Sequence, residues 1–364
     1  MSLAPALAAD AAAPTLREVQ YECSRGFLQA LADLQATLLV TTYQAGKLVA
    51  LGTSNGELTL SFHNFDRPMG TAIGPDALAI GARQQIWLLH DAPDIASQIE
   101  PAGEYQSCFL TRSSHFTGDI QCHEMAWCGG ELWIVNTLFS CLCTLAPRYS
   151  FVPRWQPPFI SGLAAEDRCH LNGLAVEGGQ PRYVTALGET DAARGWRDGK
   201  ASGGCLIDVP SGEIVARGFC MPHSPRVQDN RVWLLNSGTG ALVSLDRATG
   251  RFEVVAQLPG YLRGLSIHGD VAFVGLSKIR DTSTFGGVPL AERRDELKCG
   301  VAAVDLRTGE LLGTFEFHSG VTEIFDVSIL AHRPQTTLRG PSAGDDGQEP
   351  IWMVPPPSKS AAAR

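Results

Sequence analysis

The chain has 364 residues, of which 44% are apolar, and carries a net charge of −9. That length and composition can bury a full core without disulfides. The acidic balance and the lack of a Lys/Arg stripe argue against a nucleic-acid groove or an anionic membrane surface as partner, and no apolar run approaches the ~18 residues needed to span a bilayer.

Residues 1–15 are Ala-rich, with no basic start and no long apolar stretch. They are expected to be a disordered tail rather than a signal peptide, which predicts a cytoplasmic location. The ten cysteines are then expected to be reduced and to act as small buried hydrophobes. No C-x-x-C pair supports a zinc knuckle. Cys141 and Cys143 share one face of a strand.

Residues 16–34 have apolar positions at helical spacing and predict one helix, packed outside the main body or across one end of it. From Leu38 the pattern becomes short β-rich runs split by Gly, Asn, Asp and Pro. LLVTTY (38–43), LVALG (48–52) and LTLSFH (58–63) predict a first meander. IWLLHD (86–91), LWIVNT (132–137), RYVTAL (182–187), VWLLNS (232–237) and VAFVGL (271–276) resemble one another as buried strands, and most end on a polar residue. LDRATGRFEVV and VDLRTGELLGTF are two copies of one hairpin, in which Asp246 and Asp305 are turn residues, as is Asp208 in its own hairpin.

A short segment with a polar start precedes each buried strand: Met69-Gly70, His123-Glu124, His170-Leu171-Asn172, His223-Ser224, Arg263-Gly264 and Glu323-Ile324. Their spacing of roughly 40–60 residues brackets the period of a propeller blade. Read as innermost strands, they give an all-β, six-bladed β-propeller over 35–332. The first meander lacks an inner strand, and EIFDVSIL (323–330) can supply it and close the ring. Residues 333–364 turn rich in Pro, Ser and Ala and are expected to be a disordered tail. A pair of β-sandwiches is the alternative fold, but it would not explain the recurring polar start of the repeats.

In such a ring the innermost strands line the channel. His123, His170, His223, Arg263 and Glu323 are therefore expected around one mouth. Two insertions, 188–202 and 277–298, emerge on the same face and are read as a lid or collar. Three histidines from consecutive blades suit a divalent metal, and three ligands leave a position for water or substrate. The expected metal set is His123, His170, His223 and Asn172, with zinc, copper, iron or calcium as the ion. Glu124 and Glu323 are candidate proton carriers, and Arg226 and Arg263 candidate anchors for an anionic group. Asn136, Asn236, Lys278 and Arg280 are candidate substrate contacts. Together these predict a metal-dependent enzyme acting on a small polar or peptide-derived substrate. The rival is a non-catalytic propeller that holds a ligand or peptide in the same mouth. Channel histidines often only bind a backbone carbonyl, which is the structural alternative for each of them.

LLVTTYQAGKL, CHEMAW, WIVNTLFSCL, DRCHLNGLA, YVTALGETD, MPHSPR, WLLNSGTG, LPGYLRGL, FVGLSKIRDTSTFGG and EIFDV occur in that order between residues 38 and 330. On these ten phrases the chain resembles a bacterial family of conserved hypothetical proteins, domain of unknown function 4915. That resemblance implies no activity. HLNGLAV followed by RYVTAL is also similar to the gluconolactonase and regucalcin-like six-bladed propellers, where the resemblance implies a cation-binding role for Asn172 and, loosely, for Glu124. The third ligand of that group is an Asp, and the corresponding segment here reads PHSPR with His223. The peptide-amidating lyase propeller shares only the number of histidines.

Overall fold

Six antiparallel sheets form a ring in the computed structural model, which describes residues 18–279 and 286–355. Each sheet has four strands, and two of them gain a fifth. Blade 1 combines Asp326–Leu330 with Thr37–Thr41, Lys47–Ser54 and Glu57–Asn64. Blade 2 runs Thr71–Ile73, Ala77–Gly81, Gln85–Asp91 and Ser107–Phe116. Blades 3, 4 and 5 begin with Cys122–Cys128, Leu171–Glu177 and Pro222–Gln228, and blade 6 with Tyr261–His268. The first strand of each blade packs against the first strands of its two neighbours, which closes the circle. The propeller and its six blades are therefore observed as the repeats predict, and separate sandwiches are excluded.

Asp326–Leu330 pairs antiparallel with Thr37–Thr41, so the chain's two ends share one blade. Asp326 also ties that blade to the next. Its Oδ2 accepts from the Thr71 N–H at 2.8 Å and from the Thr71 hydroxyl at 2.7 Å. The second strands read as near-continuous apolar runs because sheets cover both their faces. Leu132–Val135, Val232–Leu235 and Ala272–Val274 are accordingly buried apart from half-buried Trp133. The hairpin turns form as predicted: Asp246 Oδ1 accepts from the N–H groups of Ala248 and Thr249, both at 2.9 Å, and Asp305 Oδ1 does the same for Arg307 and Thr308.

Two terminal segments depart from the sequence reading. The helix spans only Arg25–Asp33, capped by the Ser24 hydroxyl, which accepts from the Phe27 N–H at 3.3 Å. The preceding Tyr21–Cys23 is a strand on the outer edge of blade 6. The helix packs outside the ring, burying Phe27 and Leu31 against blades 1 and 6. Beyond residue 333, Thr336–Arg339 forms a parallel fifth strand on blade 2, where a tail was expected. Both added strands cover sheet edges that would otherwise expose unpaired backbone groups. All ten cysteines are free thiols, and all but Cys23 are buried. No helix among the described residues is long and apolar enough to cross a membrane.

Candidate functional site

Four blades share one irregularity at the start of their inner strands. The pairing register slips at Cys122–Met125, at Leu171–Gly173, at His223–Arg226 and at Arg263–Leu265. Such bulges break the strict alternation of side chains and re-aim them. Gln121, His170 and Met221, each one residue before the first pair of its inner strand, take positive φ of 54°, 51° and 53°. Non-glycine residues rarely adopt this backbone, and where it persists it clusters at functional positions.

These bent starts surround a cavity of about 540 Å³ at the mouth of the channel. His123, His170, Arg263, Lys278 and Glu323 line it, as the topology predicts. His223 is buried directly beside it, with its ring 6.3 Å from that of His123. The His123 and His170 rings are 4.8 Å apart.

Each imidazole is anchored through Nδ1. His123 Nδ1 lies 3.1 Å from the Gln121 carbonyl and 2.8 Å from the Thr137 hydroxyl. Thr137 donates its own proton to the Leu171 carbonyl, so Nδ1 of His123 is the donor. His223 Nδ1 meets the Met221 carbonyl and the Ser237 hydroxyl, both at 3.0 Å. His170 Nδ1 donates to Asp167 Oδ1 at 2.8 Å. The other Asp167 oxygen accepts from Trp196 Nε1–H at 2.9 Å. Nδ1 therefore carries a proton in all three rings, which leaves Nε2 as the nitrogen turned away from the anchor. Nε2 of His223 is buried and has no hydrogen-bond partner. Burial holds His123 and His223 well below the usual histidine pKa, and Arg263 and the neighbouring imidazoles add to the effect, so both rings are neutral.

The profile of the family described as Domain of unknown function (DUF4915) matches residues 25–338. The chain belongs to this family. No curated protein matches the sequence. Among solved structures, one described as a nidogen/laminin complex aligns with a TM-score of 0.51 at 12% identity, covering 81% of this chain and 98% of that one. A protein of unknown function from Bacteroides caccae aligns at 0.49 and 10% identity, over 81% of this chain and 99% of its own. The first of these likenesses, at 12% identity, shows the fold alone.

In this DUF4915 chain several predicted residues sit away from the mouth. Glu124 and Arg226 lie further along the channel, lining a second chamber of about 380 Å³, where they form an ion pair. Glu124 Oε2 also accepts from the Leu174 N–H at 3.0 Å. Burial pushes the Glu124 carboxyl up to about 7 against the pull of Arg226. Asn172 occupies the repeat position of His123 and His223, two residues after His170, and its Oδ1 is taken by the Thr185 hydroxyl at 2.6 Å. Asn136 and Asn236 are buried, and each holds a loop through its Oδ1. Asn136 accepts from the Phe139 N–H at 3.1 Å and Asn236 from the Cys220 N–H at 2.7 Å. Arg280 lies outside the described residues. Arg263 pairs with Glu323 at 3.0 Å, with its guanidinium 4.8 Å from the Phe325 ring.

Sequence reasoning missed the residues that hold the imidazoles. Thr137 and Ser237 each follow an Asn at the end of an equivalent strand, so the recurring Asn-hydroxyl pair in WIVNT and WLLNS was the available signal. Asp167 lies three residues before His170. Trp196 comes from the 188–202 insertion and packs in one apolar cluster with Tyr261, Val288 and Leu290, so both insertions build the wall of the mouth. Among the described residues, no group of three or more His, Cys, Asp or Glu is gathered closely enough to hold a metal ion as it stands.

Proposed function

We propose that this protein is a metal-dependent enzyme acting on a small polar or peptide-derived substrate at the mouth of the propeller channel. The observation that carries the reading is the shared anchoring of three imidazoles. Histidines that ligate metals typically give Nδ1–H or its equivalent to a carbonyl, hydroxyl or carboxylate, which fixes the tautomer and leaves the other nitrogen to bind. His123, His223 and His170 do this through Gln121 and Thr137, through Met221 and Ser237, and through Asp167. Three nitrogens about 2.0–2.1 Å from one tetrahedral ion put their ring centres about 5 Å apart. The His123–His170 and His123–His223 separations of 4.8 and 6.3 Å lie either side of that value, which supports the reading for these two pairs of rings. A bound ion would supply a Lewis acid or an activated water. Arg263 and Glu323 line the same cavity and would orient a polar group and carry a proton at Glu323 Oε.

A non-catalytic ligand-binding propeller is the second reading, favoured by the absence of a ready-made metal group among the described residues. Elemental analysis of protein purified without a His-tag separates the two. The enzyme reading expects about one equivalent of a transition metal per chain and its loss in His170→Ala. Metal-free protein that stays metal-free after incubation with zinc, iron or copper would overturn it.

A further inference from the structure

The whole chain is acidic, at −9, yet its mouth is not. Six cationic side chains line the cavity against four carboxylates. Every one of those carboxylates has a partner. Asp119 meets Arg83 at 3.8 Å, Glu166 meets Arg168 at 2.8 Å, and Glu323 meets Arg263 at 3.0 Å. Asp167 is taken by His170 and Trp196. That leaves Arg67, Arg194, Arg197 and Lys278, which pair with no carboxylate among the described residues. These four come from the loop leading into blade 2, from the 188–202 insertion and from the position just after the second strand of blade 6. They meet only around this one opening.

Gathering unpaired cations costs free energy through mutual repulsion. Arg67 and Arg194 also hold strained backbone, with φ of 50° and 53°. Arg197 has its guanidinium 4.9 Å from the Trp196 ring and a buried Nε with no hydrogen-bond partner. Neutralising the acids already present does not explain these four residues, because those acids are satisfied without them. A ligand of opposite charge does. Guanidinium groups present paired donors that match carboxylate and phosphate oxygens.

We propose that the substrate of this site is a small multivalent oxyanion, carrying carboxylate or phosphate groups held by Arg67, Arg194, Arg197 and Lys278. This deepens the reading above and rests on the mouth being the substrate site, but it does not require the metal. The shared chemistry is a compact anion with oxygens on more than one side, and its two sources are separable by experiment.

The test is calorimetric titration of the full chain with citrate and with pyrophosphate, before and after chelator treatment, at ionic strength matched with sodium chloride. Binding of at least one probe is expected, weakened tenfold or more by Arg194→Gln and by Lys278→Gln, and unchanged by Arg25→Gln on the outer helix. Tighter binding of citrate assigns carboxylates, and tighter binding of pyrophosphate assigns phosphates. Both substituted positions are exposed, so the variants are expected to fold; a matched thermal melt verifies this. Failure of both probes to bind, or binding indifferent to both cavity substitutions, overturns the inference. Anion binding that survives in a protein shown to take up no metal would sink the metal reading while leaving this one standing.

Discussion

Replacing Arg226 with Met tests how the channel interior is held together. Glu124 and Arg226 form an ion pair with side chains 6% and 28% exposed. Removing one partner of a buried pair that stays charged costs about 3–5 kcal/mol, and a carboxyl that can take up a proton instead loses less. The cost should depend on pH in a definite direction. The folded Glu124 carboxyl is pushed up to about 7 from an ordinary 4.5 by burial. A carboxyl with a raised folded pKa favours the fold fully below its unfolded pKa, and that advantage is lost as pH rises through about 7. In the parent protein this group therefore withdraws about 3 kcal/mol of stability between acid and alkaline conditions, at about 1.4 kcal/mol per unit. Without Arg226 the carboxyl moves higher still, since that guanidinium is the largest influence pulling it down. Urea unfolding followed by tryptophan fluorescence should give Arg226→Met a loss of about 2–3.5 kcal/mol at pH 8, of which at most about 1.4 kcal/mol comes from the unit between pH 7 and 8 over which only the variant's carboxyl keeps its proton. At pH 5.5 the carboxyl is already protonated in the fold, and the loss should shrink to about 1–2 kcal/mol, the value of a hydrogen bond and its packing. Glu124→Gln in the same chain should recover most of the alkaline loss, because Gln keeps an acceptor for the Leu174 N–H. A loss of equal size at the two pH values would refute this account of the pair.

Three further expectations follow from named contacts. Asp326→Ala removes the acceptor for the buried Thr71 N–H and hydroxyl across the ring closure, which should cost about 2–4 kcal/mol; an unaltered melting midpoint would contradict it. Gly264→Ala puts a Cβ 2.3 Å from the Val327 nitrogen at a position with φ of +75°. Strain and overpacking between blades 6 and 1 should together cost about 2–5 kcal/mol, and a variant as stable as the parent would show that the inner strands can slide apart. Asp167→Asn should weaken metal uptake by about 10–100-fold through loss of the His170 anchor, measured by competition with a chromogenic chelator. Unchanged affinity would mean that His170 is not a ligand.

The ring was legible because each blade needs one strand buried on both faces, and a run such as LWIV or VWLL has few other uses. Closure was legible for a similar reason: the meander of residues 37–64 has no inner strand of its own, and a lone strand was left over at 326–330. The edge strands were not legible. Tyr21–Cys23 and Thr336–Arg339 are held by backbone pairing to an edge that only the assembled blade presents, so their side chains carry no periodic signal. Ser24 did mark the true helix start, as a capping hydroxyl three residues before Phe27.

The site was half legible, and the missing half has a single cause. Assigning side chains to the channel by strict alternation assumes regular pairing, and pairing fails where the inner strands begin. At the bulge in blade 3, His123 and Glu124 are consecutive yet reach different chambers of the channel, the one at the mouth and the other beyond it. In blade 4, His170 lies two residues ahead of the repeat position, in the strained turn itself, and reaches the same rings from a different stem. A propeller built with regular strands to the end of every blade would present one side chain per blade to the mouth. Slipping the register and accepting left-handed turns at Gln121, His170 and Met221 instead gives carbonyls that hold imidazole protons in blades 3 and 5 and a third ring in blade 4. Such backbone is costly, and its recurrence at one end of consecutive blades around one cavity is what supports reading the mouth as the functional surface.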